Sequence, residues 1–234
     1  MTPKHSNFLN ILAGRFFITN KTGTGSFQAI CPTGSAVFSC GISNTQGTWE
    51  DRSRYAFPVS SNACECQSFS EIQCVAYCGP SNVLGYEIKT EIFQRNGEVS
   101  CPTGKKVVSC SMKNTPQKFS REAFKKFAPS ADGTSCLCYD YLEGVCGAIC
   151  VSLPNEHDVI PNFGVGNVLA ECPAGKTVLG CGVMAKHQNP PEEKPSYSVS
   201  MPNSCLCSSS SGVTCYALCF KDRVAGVAGV TGIN

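Results

Sequence analysis

The chain has 234 residues, enough for one large domain or two ordinary ones, and 18 of them are cysteines. Its formal net charge is +2 and only 15% of its residues are charged, so it has no overall basic field to hold a nucleic acid. No apolar run reaches the roughly 20 residues of a membrane-spanning helix, and Asn10 and Arg15 interrupt the one N-terminal stretch that resembles a signal peptide. We therefore expect a piece of a larger secreted protein rather than a cytosolic enzyme, a DNA-binding protein or an integral membrane protein.

The cysteines form three sets that share one spacing. Each set reads C-x8-C, a gap of 23 or 25 residues, C-x-C, seven residues and C-x3-C. The sets begin with similar ten-residue segments, CPTGSAVFSC, CPTGKKVVSC and CPAGKTVLGC. This repeat predicts a single domain over residues 1–234 with three subdomains, approximately 15–80, 81–152 and 153–234. The predicted disulfide cysteines are Cys31, Cys40, Cys64, Cys66, Cys74 and Cys78; Cys101, Cys110, Cys136, Cys138, Cys146 and Cys150; and Cys172, Cys181, Cys205, Cys207, Cys215 and Cys219.

Disulfides and zinc are the two chemistries that explain so many cysteines. Structural zinc sites favour short cysteine pairs combined with histidine, whereas this chain has no C-x-x-C and its three histidines lie at non-equivalent positions of the repeat. Six cysteines in each set can close three bridges, which predicts nine disulfides, an oxidising compartment, no metal and no cofactor. Of the fifteen possible pairings within a set, spacing removes few. Cys64 and Cys66 face the same way in a strand, so we expect them to take different partners.

Each set also predicts a small antiparallel sheet. The C-P-x-G opening predicts a type I turn with Pro second and Gly fourth, and the alternating residues that follow, as in Lys106–Met112, predict a strand. A further strand is expected before each C-x-C, and a hairpin between C-x-C and C-x3-C. β-rich stretches precede the opening cysteines at Arg15–Thr19, Gly85–Phe93 and Phe163–Ala170. We expect an all-β fold of three disulfide-rich antiparallel sheet subdomains around a pseudo-threefold axis, similar to a β-prism.

Over residues 27–219, the three six-cysteine modules with C-x-C and C-x3-C resemble the C-terminal β-pleated-sheet domain of apicomplexan perforin-like proteins. In that family the domain follows a pore-forming membrane-attack-complex/perforin domain and binds phospholipid. The resemblance implies a β-prism that targets membranes and is neither enzymatic nor lytic alone. It implies secretion through micronemes, a part in cytolysis and peripheral attachment to target membranes. The implied partners are an upstream pore-forming domain and a phospholipid surface, with no nucleic acid.

A second resemblance ranks lower. The cysteine-rich C-terminal domain of a subtilisin-like proprotein convertase also has three six-cysteine modules, but it ends them differently and lacks the regular C-x-C.

Function is expected where the sets differ, in the long segment between the second and third cysteines. We call these segments the first, second and third excursions, residues 41–63, 111–135 and 182–204. The ninth residue after the second cysteine is Trp49, Phe119 or Pro190, so two excursions place an aromatic at the same position. An aromatic among turn residues is typical of a loop tip at an interface, although Trp49 alternatively caps the core between subdomains.

The second excursion also differs in charge. It carries five basic and two acidic residues, whereas the other two are neutral. Basic residues interleaved with aromatics are typical of interfacial membrane contacts, and the predicted surface is anionic. The basic run alternatively is a solvated face, and Phe124 or Phe127 alternatively is a core residue that matches Phe57 or Val199. The predicted lipid-binding residues are Trp49, Lys118, Phe119, Arg121, Phe124, Lys125, Lys126 and Phe127.

Two other functions remain open, an extracellular protein- or glycan-binding adhesion module and a structural spacer. Disulfide-stapled β domains with aromatic loop tips also serve as adhesins and lectins. The run Asn155–Asp158 holds acid and base types, but it lies in a Pro-flanked connector. No nucleophile–base pair or metal-ligand set stands out, so we do not expect an enzyme. Asn20, Lys21 and Thr22 form a single N-glycosylation sequon.

Overall fold

The computed structural model of the chain describes residues 16–43, 55–114, 126–152, 157–185, 197–201 and 203–221. This part of the chain is all-β and antiparallel, and it contains twelve strands and no helix. The strands form three units of four. The first unit has β1 (Phe17–Ile30), β2 (Ser35–Ser43), β3 (Tyr55–Ser60) and β4 (Ala63–Pro80). The second has β5 (Glu87–Ser100), β6 (Lys106–Asn114), β7 (Lys126–Pro129) and β8 (Ser135–Val151), and the third has β9 (His157–Glu171), β10 (Lys176–Ala185), β11 (Tyr197–Ser200) and β12 (Ser204–Lys221).

In every unit the last strand pairs with the other three. In the first unit β4 pairs with β1 along its whole length, with β2 through its second half and with β3 through its first half. In the second unit β8 pairs in the same way with β5, β6 and β7, and in the third β12 pairs with β9, β10 and β11. A single bridge between Phe127 and Val183 joins the second and third units into one eight-stranded sheet. Each cysteine set therefore coincides with one four-stranded unit.

The prediction of nine disulfides is confirmed, and no cysteine of the chain is free. Every unit pairs its first cysteine with its sixth, its second with its third, and its fourth with its fifth. Cys64 and Cys66 do take different partners, Cys40 and Cys74. Because most of these sulfurs are fully buried, the bridges fill interior space that larger apolar side chains would otherwise occupy. The pairs are Cys31–Cys78, Cys40–Cys64, Cys66–Cys74, Cys101–Cys150, Cys110–Cys136, Cys138–Cys146, Cys172–Cys219, Cys181–Cys205 and Cys207–Cys215.

The long strand of each unit folds back on itself. The Cα atoms of Cys66 and Cys74 lie 5.6 Å apart, whereas eight residues of straight strand span roughly 26 Å. β1 bends together with β4, and its register shifts at Gly25. The predicted hairpin is therefore wrong, because C-x-C and C-x3-C pair with opposite halves of β1, Cys66 with Phe27 and Cys74 with Lys21. We call residues 68–72, 140–144 and 209–213 the bends of the three units.

The strand paired along each long strand, β1, β5 or β9, bends with it. The two halves of this strand approach closely because one of two facing positions is a glycine. In the second unit the Phe93 ring fills the space beside Gly97, where a Cβ atom would lie 2.5 Å from Phe93 Cγ. The first unit reverses the order of the two residues, since its glycine comes first. Each unit thus fills the same space with one bulky side chain and one glycine. The pairs are Gly23 with Phe27, Phe93 with Gly97, and Gly164 with Val168.

The turn that opens each unit differs from the expected one. The Ser35 N–H donates to the Pro32 carbonyl at 3.0 Å, so Pro is the first residue of the turn rather than the second. Gly34 is the third residue and has a φ of 85°. A positive φ at that position is the mark of a type II turn, which favours glycine, so the predicted type I turn is wrong. The same hydrogen bond recurs at residues 102–105 and 173–176.

The three units pack in a closed cyclic order. β3 contacts β6 of the second unit, β7 contacts β10 of the third, and β11 contacts β2 of the first. At the centre β2, β6 and β10 contact one another. Ser109 Oγ donates to Ser39 Oγ at 3.3 Å, and a Cβ atom at Gly180, the equivalent residue of the third unit, would lie 2.8 Å from Ser109 Cβ. This arrangement is consistent with the expected pseudo-threefold β-prism.

Contacts between neighbouring units occur at several levels along the central strands. Near the opening turns, the Tyr86 hydroxyl donates to the Val37 carbonyl at 2.6 Å. Towards the opposite end of β6, Gly147 of β8 pairs with Ser111, and a Cβ atom at Gly147 would lie 2.8 Å from the Phe57 ring of the first unit. The three central strands therefore run side by side in the same sense. All opening turns lie at one end of the molecule, which we call the turn end, and all bends lie at the other, the bend end.

The start of the third unit repeats the junction made by Tyr86. His157 Nε2 lies 3.2 Å from the Val107 carbonyl, and Val107 is the equivalent of Val37. Burial lowers the pKa of the His157 imidazole, which keeps it neutral at pH 7. Asp158 forms an ion pair with Lys176. The interpretation of residues 155–158 as connector is thus wrong for its last two members, which begin β9 and fix the junction.

Candidate functional site

The excursions leave and rejoin the units at the bend end. β2 ends at Ser43, which is paired with Gln73, and β3 begins at Tyr55, which is paired with Gln67. The bend of β4 therefore lies between the two feet of the first excursion. Equivalent pairings place the feet of the other two excursions beside their own bends. One end of the molecule thus combines three bends with the feet of three excursions.

The most exposed large apolar side chains of the described residues lie at these bends. Phe69, Ile92 and Val165 have exposed fractions of 73%, 68% and 69%, and each belongs to a different unit. Phe69 lies in the first bend, while Ile92 and Val165 lie in the edge strands within three residues of the point where those strands turn. Phe163, exposed by 51%, adds an aromatic ring beside Val165. All three units thus expose apolar side chains at the same end of the molecule. Exposed apolar surface is typical of sites that contact another molecule.

Two lysines lie at the two feet of the second excursion. Lys113 Nζ lies 4.8 Å from the centre of the Phe57 ring, and Lys126 Nζ lies 5.2 Å from the centre of the Tyr139 ring. Both distances suit a cation–π contact, which holds each ammonium group at a defined place. The first unit has Ser43 instead of Lys113. The second unit therefore presents positive charge at the bend end, in agreement with the charge of its excursion.

The first excursion ends on an acidic network instead. The Tyr55 hydroxyl donates to Glu65 Oε1 at 2.6 Å, and the Ser26 hydroxyl donates to the same oxygen at 3.1 Å. Burial and the hydrogen bond to Glu65 raise the pKa of the Tyr55 phenol, so the phenol remains a donor at physiological pH. Tyr55 is the equivalent of Lys126, and the two feet therefore differ in charge.

Two of the eight predicted lipid-binding residues lie among the described residues, Lys126 and Phe127. Lys126 occupies the foot just described. Phe127 is half-buried and packs against the buried clusters of both the second and the third unit, so we do not include it in the contact surface. Its pairing with Cys138 makes it the equivalent of Ala56 and not of Phe57. The other six residues lie outside the described part of the chain: Trp49, Lys118, Phe119, Arg121, Phe124 and Lys125.

Sequence reasoning missed Phe69, Ile92 and Val165. Divergence between the units was expected to carry function only in the excursions, because the segments between C-x-C and C-x3-C were predicted to be hairpins. The missing signal is the repeat itself, since Ile92 is equivalent to Thr22, and Val165 to Gln94 and Thr24. Comparing the three units position by position outside the excursions would have found these replacements of polar by apolar residues.

Among the residues that the structure describes, no group of three or more His, Cys, Asp or Glu side chains is placed to hold a metal ion. No helix in this part of the chain is long and apolar enough to span a membrane.

No protein-family model and no curated protein matches the chain.

Proposed function

We propose that this chain is a phospholipid-binding module that targets a secreted, perforin-like pore-forming protein to membranes and does not perforate them alone. The observation that carries the proposal is the exposure of Phe69, Ile92 and Val165, one from each unit, at the end where the excursions leave. Partial burial of such side chains in a lipid interface stabilises attachment by a fraction of the roughly 1.5–3 kcal/mol of full burial each. Three small contributions of this kind suit reversible binding.

Charge at the same end supports an anionic surface. Lys113 and Lys126 add two cations at the feet of an excursion that carries further lysines and an arginine. Each cation near an anionic surface contributes about 1 kcal/mol, which salt screens. Binding that combines apolar insertion with such attraction weakens in high salt without disappearing.

The start of the first strand and the end of the last strand lie at positions that are compatible with this role. β1 begins at Phe17, which is paired with Cys78, and β12 ends at Lys221, which is paired with Lys176. Both ends therefore lie at the turn end. A pore-forming domain joined there would leave the bend end open to a membrane.

Co-sedimentation with vesicles of phosphatidylserine and phosphatidylcholine tests the proposal. We expect salt-sensitive binding that falls at least tenfold in the triple variant Phe69→Ser, Ile92→Ser, Val165→Ser. The matched control is the triple variant Ile30→Ser, Val59→Ser, Leu84→Ser, which removes exposed apolar side chains from the turn end. The control should bind as the unchanged protein does.

The excursions are tested separately. Trp49→Ala and Phe119→Ala should each weaken vesicle binding, whereas Pro190→Ala, at the equivalent position of the third excursion, should leave it unchanged. Absence of binding to any vesicle composition overturns the proposal. A glycan or protein ligand that is lost with the same bend-end variant would instead identify an adhesion module.

A further inference from the structure

Among the described residues, the outer strand of every unit has one backbone edge that pairs with no other strand. β1, β5 and β9 each pair with a single strand, the long strand of their own unit, within the described part of the chain. Strands of 14 or 15 residues with an open edge invite pairing with other chains, and natural proteins blunt such edges. The three units differ in the residues that occupy the middle of this edge.

The difference is sharpest at one equivalent position. Asn20, Thr90 and Pro161 each pair with the residue that follows the fifth cysteine of their unit. Pro161 lacks the N–H group that edge pairing needs. Thr90 lies between Lys89 and Glu91, whose charges disfavour pairing with another strand. In β1 the same position is held by the asparagine of the sequon.

The sequon is well displayed on the folded surface. Asn20, Lys21 and Thr22 are all exposed. Side chains two residues apart in a strand point to the same side, so Asn20 and Thr22 share the face opposite to Thr19. Thr19 faces inward, since its hydroxyl lies 3.5 Å from Cys78 Sγ. A glycan on Asn20 therefore projects away from the disulfide-filled interior.

The disulfides connect this site with the compartment in which N-glycans are added. Nine intrachain disulfides form in an oxidising secretory compartment, and asparagine glycosylation takes place in the same compartment. We propose that Asn20 is an N-glycosylation site and that its glycan covers the open edge of β1. This inference stands apart from lipid binding, because it is argued from the edge of β1 and from the compartment, and not from the exposed apolar side chains of the bend end.

The reaction needs a lipid-linked diphospho-oligosaccharide as co-reactant. A C–N bond forms between Asn20 Nδ2 and the anomeric carbon of the first sugar. The bond between that carbon and the diphosphate oxygen breaks, and the lipid diphosphate leaves with the electron pair. The amide nitrogen gives up one proton, and no electrons are exchanged with an oxidant or reductant.

Secretion of the chain from a eukaryotic cell line tests the site. We expect the secreted protein to carry one glycan mass, which disappears in both Asn20→Gln and Thr22→Ala. Thr22→Ser keeps the hydroxyl that the sequon needs and should keep the glycan, so it is the matched control.

A second measurement needs no variant and so does not depend on whether the variants fold. Enzymatic removal of the glycan in heavy-oxygen water converts a glycosylated asparagine into a labelled aspartate. The labelled residue should be Asn20 in peptides from the unchanged protein. Secreted protein with all nine disulfides and an unlabelled, unmodified Asn20 overturns the proposal.

Discussion

The turn end and the bend end differ in how closely the three units resemble one another. At the turn end the units repeat the same hydrogen-bonded Pro–Gly turn. Two of them also repeat one ion pair, Lys105 with Glu87 at 2.6 Å and Lys176 with Asp158. The hydrogen bonds from Lys105 and Lys89 hold the pKa of Glu87 below its usual value.

At the bend end the same alignment brings different residues together. The glycine and the bulky residue exchange places between units, and an arginine replaces a glycine in one edge strand. The feet of the excursions carry Tyr55 in one unit and Lys126 in another. The comparison teaches that contacts repeated in all three units hold the turn end and the axis together, whereas the residues of the bend end differ from unit to unit.

The largest expected effect on stability comes from removing a disulfide of the first unit, either at its turn end or at its bend end. Removing Cys31–Cys78, which spans 47 residues in sequence but closes a loop of about 15 because the other two bridges of the unit are nested inside it, should lower the free energy of unfolding by about 3 kcal/mol. Removing Cys66–Cys74, which closes eight residues at the bend, should lower it by about 2.5 kcal/mol. The longer loop restricts the unfolded chain more. Urea denaturation of the two double-alanine variants under non-reducing conditions measures the difference.

All four of these cysteines are buried, so the loss of sulfur packing is similar in the two variants and largely cancels in the comparison. If the two variants lose equal stability, or if the variant without Cys66–Cys74 loses more, the stability of the unit does not depend mainly on the disulfide at its turn end.

A smaller effect is expected at the axis. Gly180→Ala should lower the free energy of unfolding by about 1–3 kcal/mol, because its Cβ would meet the Val108 carbonyl oxygen and lie 2.8 Å from Ser109 Cβ. Gly23→Ala is the matched control at a bend. Its Cβ would lie 3.3 Å from a Phe27 ring that can shift, so the change should be nearly neutral. Thermal unfolding of both variants measures the contrast, and equal stabilities would argue against a close-packed axis.

Much of the fold, including its units, disulfides and several strands, could be predicted from the sequence. The cysteine spacing, which differs among the sets only in the long gap, predicted the number of units and the number of disulfides, and period-two patterns located strands such as β6. The boundaries failed where tertiary structure overrides local signals. β1 extends to Ile30 because it pairs with β4 along its full length, well beyond the predicted Arg15–Thr19 stretch.

The bends could not be predicted, because no local sequence pattern indicates a strand that folds back on itself while it stays paired with its neighbouring strand. Seven residues between cysteine pairs, with turn residues among them, indicate a hairpin, and only the partner strand shows otherwise. The exposed side chains of the bend end were missed for a different reason, because divergence between the units was expected to matter only in the excursions. Phe69 lies in the predicted hairpin and Val165 in a predicted β-rich stretch, and neither segment was assigned a contact.

The smallest expected effect is a gain of stability at the bend end. Arg95 has a φ of 68°, while the equivalent Gly25 and Gly166 have 74° and 78°. A non-glycine residue in this region costs about 1–2 kcal/mol, and glycine costs about 0.5–1 kcal/mol in the flexibility that it loses on folding. Arg95→Gly should therefore raise the free energy of unfolding by about 0.5–1 kcal/mol, measured by urea denaturation. Gly166→Ala, the reciprocal control, should lower it by a similar amount, since no atom crowds that position.

The same variant relates stability to contact at this end of the molecule. Arg95 is exposed and lies three residues from Ile92, so its charge is placed where we propose that an anionic surface is bound. Replacing it should weaken binding to anionic vesicles about fivefold, the equivalent of roughly 1 kcal/mol for one cation. A variant that gains stability and binds less well would mean that the strained arginine is retained for contact. A variant that gains stability and binds equally well would leave the strain without a function and restrict the contact surface to the apolar side chains.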